Sequence, residues 1–398
     1  MRGHITKRGK DSFTIVLNLG RDPATGKRKQ QWVSVKGTKK DAEKKLAELL
    51  HQLDTGMFMK PGKTTLAEYL RRWLVEYVQP NLAPRTAEGY EHIIRRHLVP
   101  ALGNLPLTQL KPEHVQRLYS QKLTDGRCAK EGGLSNRTVR YIHVTLHKAL
   151  QDALRLGLVT RNVAGAVEPP RVYHQEVRTL GESDLQIFLS TAEPTPYYSL
   201  FYTALFTGMR RSELLALRWS DVDLLLCQLY VTRSMHQLKT GEIVFRQPKS
   251  TRSKRLVALS PSTVRVLADH KTRQEELKLL QGLVPRSEDL VFSHDDGTPL
   301  LPDSITHAWM KMARHAGLHG IRLHDARHTH ASLMLKQGVH PKIVQEILGH
   351  SSIQVTLDTY SHVAPGLQQA AANRLDELLA KPEGESDDDR ARQVRTPA

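Results

Sequence analysis

β-Forming and helix-forming stretches follow one another in blocks along the chain. Ser12-Phe13-Thr14-Ile15-Val16-Leu17-Asn18-Leu19 is rich in β-formers, Asp22–Gly26 reads as a turn, and Gln30–Val35 resumes with Trp32, Val33 and Val35. Thr38 reads as the N-cap of an amphipathic helix over 39–53, and Gly56–Lys63 as a linker. Beyond it, Leu66, Tyr69, Leu70, Trp73, Leu74 and Tyr77 recur at helical spacing, a run that Pro80–Pro84 should end. Further helices are expected over 86–98, broken by Pro100–Pro106, over 111–121, and over 135–156, capped by Ser135 and closed by Gly157. Pro169–Arg178 reads as a second linker.

The last region mixes both kinds of element. Helices are expected at 182–191, 196–206 and 211–217, then short strands at 224–233, 243–247 and 255–259, then helices at 262–280 and 302–316. Segments 324–338, 341–349, 352–361 and 366–379 follow, and an acidic tail over 381–398 is expected to be disordered. The fold class is therefore multidomain α+β. A small β-sheet plus helix occupies 1–60, an all-helical domain 61–172, and a mainly helical domain with a small antiparallel sheet 175–380.

Composition narrows the class. With 398 residues, 39% hydrophobic and 25% charged, the chain is globular in character. The two cysteines, Cys128 and Cys227, are too few and too far apart for a disulfide scaffold or a thiolate zinc cluster, and they suit a reducing cytosol. No apolar run approaches the ~18 residues of a membrane span, and no signal-peptide core is seen. A soluble cytoplasmic protein is expected.

Charge changes the picture more. The net charge is +17, of which residues 1–60 carry +8 and 61–172 another +8, so the remainder is nearly neutral. Charge that only keeps a protein soluble would be spread more evenly. The first two segments are placed to meet a polyanion, most commonly nucleic acid, whose neutralised phosphates release counterions. Arg85, Arg95, Arg96, Lys122, Arg137 and Arg140 are candidate phosphate contacts.

Four local patterns carry candidate chemistry. Thr207-Gly208-Met209-Arg210-Arg211-Ser212-Glu213-Leu214 places Arg210 near a helix start, and Gln247–Thr251 puts Lys249 on a turn between strands. His324-Asp325-Ala326-Arg327-His328-Thr329-His330 brings His324, Arg327 and His328 to one helical face, and Leu348-Gly349-His350 precedes a helix that carries Tyr360. The His324/His328 spacing approaches the H-E-x-x-H zinc pattern, but the acid is Asp325 and Arg327 would share the metal's face, at a Coulomb cost. The ordered set suits a phosphodiester better. Two arginines can clamp its non-bridging oxygens, a tyrosine can attack phosphorus, and a lysine and a histidine can move protons. Such a set needs no metal, because its cations supply the electrostatics.

These residues resemble the tyrosine recombinase, or phage integrase, family. T-G-[LM]-R-x-x-E-L is similar to Thr207–Leu214, H-x-x-R-H-T to His324–Thr329, and L-G-H-S…T-x-x-T-Y-x-H to Leu348–His362. The resemblance implies that Arg210 and Arg327 bind the scissile phosphate and that His350 hydrogen-bonds it. It implies that Lys249 protonates the leaving 5′ oxygen, with Lys254 as the competing choice, and that His324 assists proton transfer at the tyrosine. Tyr360 would be the nucleophile of a 3′-phosphotyrosyl intermediate, with no ATP, cofactor or added metal. Ala326 stands where the family commonly has Leu, a packing change only.

The resemblance also implies an arm-site-binding domain over 1–60, a core-site-binding domain over 61–172 and a catalytic domain over 175–380. The partners implied are double-stranded DNA at core-type and arm-type attachment sites and three further copies in a homotetramer. Whether a DNA-bending protein or an excisionase takes part stays open, as does integration by a phage against a conjugative transposon. A non-catalytic DNA-binding regulator and a type IB topoisomerase are the alternatives. Glu213 is expected to partner an arginine, Arg211 to face solvent or DNA, and Tyr202, Trp219 and Tyr230 to be core. His328 and His362 lie either beside the reacting groups or in plain packing, and His330 and His340 are assigned no role. The 366–379 segment packs on a neighbouring protomer or on its own subunit.

Overall fold

The computed structural model describes residues 3–21, 26–54, 63–127, 131–173, 178–247 and 254–360, together with 372, 373 and 376. Lys249 and its turn, Cys128, His362, most of the expected turn at 22–26, of the first linker and of the 366–379 segment, positions 174–177 of the second linker, and the tail lie outside the described residues. The chain divides into two compact units, Met1–His174 and Gln175–Ala398.

In the first unit, β1 (Gly3–Gly9), β2 (Ser12–Arg21) and β3 (Arg28–Lys36) form an antiparallel sheet in that order. Helix α1 (Lys39–Asp54) covers one face, where Ile15 and Leu17 meet Leu46 and Leu49. Thr38 caps it, with its amide donating to Asp41 Oδ2 at 2.8 Å and its hydroxyl oxygen accepting from the Asp41 amide at 3.3 Å. Pairing of Val16 with Trp32 puts both on the other face, where the indole is 55% exposed.

In the helical part of this unit the helices end within Pro80–Pro84 and Pro100–Pro106 as expected, but by a route that the sequence did not show. Helix α2 (Leu66–Trp73) runs through a π turn, Leu74–Val78, into α3 (Gln79–Asn81), so that Pro80 lies in the last turn. Helix α4 (Pro84–Ile93) likewise passes through a second π turn, Ile94–Leu98, into α5 (Val99–Leu102), which contains Pro100. In each π turn the hydrogen bond reaches five residues back, from Gln79 to Leu74 and from Val99 to Ile94. Widening the turn just ahead of a proline relieves the clash of its ring with the carbonyl four residues earlier. Helices α6 (Pro112–Thr124) and α7 (Asn136–Arg155) complete a core that includes Trp73, Tyr119, Ile142 and Leu146. Ser135 caps α7, and Gly157 follows its end with φ +67°.

The second unit opens with α8 (Glu182–Ala192), α9 (Tyr198–Thr207) and the short α10 (Arg211–Leu214). Strands β4 (Val222–Asp223), β5 (Gln228–Val231) and β8 (Arg255–Ala258) form one antiparallel sheet, and β6 (Ser234–Gln237) with β7 (Ile243–Arg246) a hairpin. The strand expected over 224–233 starts only at Gln228. Before it, Cys227 turns the chain with φ +51°, and Asp223 Oδ1 accepts from the amides of Leu225 and Leu226. Tyr202 and Trp219 are buried as expected, but Tyr230 is exposed, because Leu229 and Val231 take the inward phase of β5.

Helices α11 (Pro261–Leu280), α12 (Pro302–His315), α13 (Leu323–Lys336), α14 (Pro341–Leu348) and α15 (Ile353–Tyr360) follow. Phe188, Phe201 and Trp309 pack in the large core, with Trp309 tilted against Phe188 and edge to face with Phe201. Among the described residues, no helix is long and apolar enough to cross a membrane, and no group of three or more His, Cys, Asp or Glu is placed to hold a metal ion.

Candidate active site

Segments 150 residues apart in sequence meet in the second unit. Helix α9 ends at Gly208 with φ +61°, which turns the chain so that Arg210 caps α10. His324 and Arg327 lie on the first two turns of α13, and α14 ends at Gly349 with φ +64°, setting His350 in the corner before α15. Tyr360 is the last residue of α15.

The two arginines are held from behind, largely by main-chain oxygens. Arg327, 3% exposed, donates to the carbonyls of Gly208 at 2.8 Å and Leu348 at 2.6 Å. Arg210 donates to Glu213 at 2.7 Å and to the Gly349 carbonyl at 3.1 Å. Burial, and then the charge of Arg210, pull Arg327 down to about 9, so it stays a cation at neutral pH.

Glu213 is the expected arginine partner, and it has a second one that sequence reasoning missed. Arg255, on β8, donates to both Glu213 oxygens, at 3.2 and 2.8 Å, and through Nε to the carbonyl of Ile347. Burial works to raise the pKa of Glu213, but hydrogen bonds and charge from Arg255 and Arg210 outweigh it and hold the carboxyl at about 2. Three guanidiniums and one carboxylate leave a net charge of two facing the site. A phosphodiester brings one negative charge, and its transition state gathers more on the same oxygens. Arg211 departs from its expectation: it donates to the Pro302 carbonyl at 2.8 Å, contacts Thr306 and pairs with Asp303, tying α10 to α12.

The tyrosine end is built differently. Tyr360 is 1% exposed and sits in a small cluster with Ala331, Leu335, Val344 and Leu348. Its hydroxyl lies 2.7 Å from His328 Nδ1, and burial, opposed by the Arg327 charge, pushes its pKa up to about 12. His328 meets the exposed His324 edge to face at 4.8 Å between ring centroids. His350 holds Thr356 Oγ1 at 2.9 Å through Nδ1 and lies parallel to the Tyr360 ring at 6.5 Å. Burial, and then Arg327 beside it, take His350 down to about 3. Partial desolvation and Arg327 lower His324 as well. His340 caps α14, and His330 is half-buried with Nδ1 at the Leu205 carbonyl.

Arg210, His324, Arg327, His350 and Tyr360 therefore share one region, while Lys249 lies outside the described residues. Lys254 is exposed and, with Arg255, Lys342, Gly349 and His350, lines an open cavity of about 630 Å³.

Known proteins share both sequence and fold with this chain. The phage integrase family model matches residues 171–366, and the phage integrase N-terminal SAM-like domain matches 65–123. An integrase of Streptomyces ambofaciens is 30% identical over 368 residues, covering 90% of this chain and 92% of its own. The chain belongs to the phage integrase family, the tyrosine recombinases: it is an enzyme, and it binds DNA. The ICEBs1 integrase of Bacillus subtilis is 28% identical over 370 residues, 92% of this chain and 97% of that one. The Tn1549 transposon integrase, solved with a circular intermediate DNA, shares the fold at a TM-score of 0.65 and 20% identity, over 78% of this chain and 99% of that one.

Proposed function

We propose that this recombinase cuts and rejoins DNA at specific sites through Tyr360, to integrate and excise a phage or conjugative transposon. The observation that carries the reading is the convergence of Arg210 and Arg327, fixed by main-chain carbonyls, beside a tyrosine flanked by histidines. Arg210 and Arg327 bind the non-bridging oxygens of the scissile phosphate, with His350 as a further donor. The Tyr360 oxygen attacks phosphorus, the bond to the 5′ oxygen breaks, and a 3′-phosphotyrosyl ester remains. Lys249 protonates the leaving oxygen; Lys254, on the cavity rim, is the alternative donor. His324 assists proton transfer at the tyrosine. The ester keeps the phosphodiester energy, so a new 5′ hydroxyl reverses the step without ATP.

Residues 1–60 are proposed to bind arm-type sites, 61–172 core-type sites and 175–380 to perform the chemistry, with 381–398 as an acidic tail. The exposed Trp32, which shares its phase along β3 with the exposed Arg28 and Lys36, supports the first assignment. Exchange between two duplexes cuts four strands, so a homotetramer on DNA is the working form, in the cytoplasm of a bacterial host.

A nicked duplex carrying the core site, incubated with protein in EDTA and run on a denaturing gel, tests the chemistry. An adduct in wild type that is absent from Tyr360→Phe is expected. Tight binding without an adduct would instead make the chain a regulator, and an adduct in Tyr360→Phe would mean a different nucleophile. Deleting residues 1–60 should spare core-site cleavage and reduce recombination; equal recombination by both proteins would sink the arm-site assignment.

A further inference from the structure

Three histidines surround Tyr360, and they differ in what their nitrogens meet. His350 spends Nδ1 on Thr356. His324 is exposed and touches the neighbouring imidazole rather than the phenol. His328, one turn further along α13, has Nδ1 2.7 Å from the Tyr360 hydroxyl, with ring centroids 5.7 Å apart. Its ring is half-buried between His324 and the tyrosine, so it is not free to turn away.

We propose that His328 takes the proton of the Tyr360 hydroxyl as that oxygen attacks phosphorus, and returns it when the phosphotyrosyl bond breaks. The inference rests on the reading of Tyr360 as nucleophile. In cleavage, the O–H electron pair becomes the new bond to phosphorus, the proton passes to Nδ1, and His328 becomes an imidazolium. The phosphorus–5′-oxygen bond breaks, and that oxygen takes a proton from the lysine. In rejoining, each proton retraces its path.

The surroundings of His328 fit a neutral acceptor. Burial, His324 and Arg327 lower its pKa to about 4, with Asp325 opposing and Arg322 adding to the cationic side. Tyr360 and His350 are the titratable groups that face it from α15 and from the corner after α14. A phosphate bound between Arg210 and Arg327 cancels part of this positive field. The imidazole therefore becomes more basic as the substrate arrives.

Single-turnover adduct formation on the nicked duplex tests this with His328→Ala, His328→Asn and His324→Ala. The Asn carbonyl can replace Nδ1 as hydrogen-bond acceptor, but it cannot carry a proton. Both His328 variants should bind DNA as wild type does and form adduct about 100-fold more slowly or worse. A sulfur in place of the 5′ bridging oxygen needs no proton to leave, so it should not repair them. A difluorotyrosine at 360, which ionises more readily, should restore at least about tenfold.

A His328→Asn rate within about threefold of wild type would reduce His328 to a hydrogen-bonding support and overturn the proposal. So would fluorotyrosine rescue that appears in His324→Ala and not in the His328 variants. If His328→Ala loses the fold, His328→Asn, which keeps the hydrogen bond, decides alone. An adduct that persists in Tyr360→Phe would remove the nucleophile reading itself, a distinct failure.

Discussion

The two ends of the site are held by different means. Helix α13, which carries Arg327, buries eight side chains, and the arginines are tied to Glu213 and to four backbone carbonyls. Helix α15, which carries Tyr360, buries two side chains, Thr356 and Tyr360, and its hydroxyl has the single bond to His328. The difference separates two tasks. Charge that must meet a developing oxyanion is best fixed in advance, since reorganising it during the reaction adds to the barrier. The nucleophile sits on the helix with fewer buried side chains, held by one hydrogen bond to the group proposed to take its proton.

Removing the anion at the arginine end should have the largest effect. Glu213→Ala leaves Arg210 and Arg255 without their shared carboxylate and should destabilise the second unit by about 3–5 kcal/mol in denaturant unfolding. A loss under about 1 kcal/mol would mean the arginines relax into solvent, and the contrast would collapse.

Acid should attack both ends, in two stages. His350, near 3, and His328 and His330, near 4, lie below the ordinary 6.5, so the unfolded chain binds their protons first. Stability should therefore begin to fall as pH drops through 6.5. Glu213, held near 2 against an ordinary 4.5, adds stability above 4.5 that is lost as pH falls towards 2, on the order of 3 kcal/mol. Unfolding of Glu213→Gln across this range should lack the second stage and keep the first.

Hydrogen exchange sharpens the contrast directly. Amides of 353–360 should exchange at least about tenfold faster than those in the middle of α13. Equal protection would make α15 as firmly held as α13. Smallest of all, Tyr360→Phe removes one hydrogen bond and should cost about 1 kcal/mol of stability, although it abolishes adduct formation.

The elements and the three boxes were legible because each rests on local signals: caps at Thr38 and Ser135, and glycines just after α9, α14 and α7. What escaped depended on partners distant in sequence. Arg255 carries no motif, yet it alternates with the buried Val257, so its phase along β8 already pointed it inward. The same rule, applied to Leu229 and Val231, would have turned Tyr230 out. His328 stood on the right helical face, but spacing alone cannot say which imidazole nitrogen meets the phenol. The π turns before Pro80 and Pro100 escaped because the rule that proline ends a helix omits a widened turn upstream.

Arg210 and Arg327 lean on carbonyls of Gly208, Leu348 and Gly349, which belong to every amino acid alike. Most side chains along these bends can drift over generations without erasing the anchors, because the path of the chain supplies them. The exceptions are the two glycines that set the path. A methyl group at 208 would stand 2.7 Å from Leu348 and 2.9 Å from His330, and one at 349 would stand 3.0 Å from Arg255. Both positions also require φ near +60°, which side chains rarely accept. Mutational fragility is thus concentrated at two residues that never touch the substrate with a side chain.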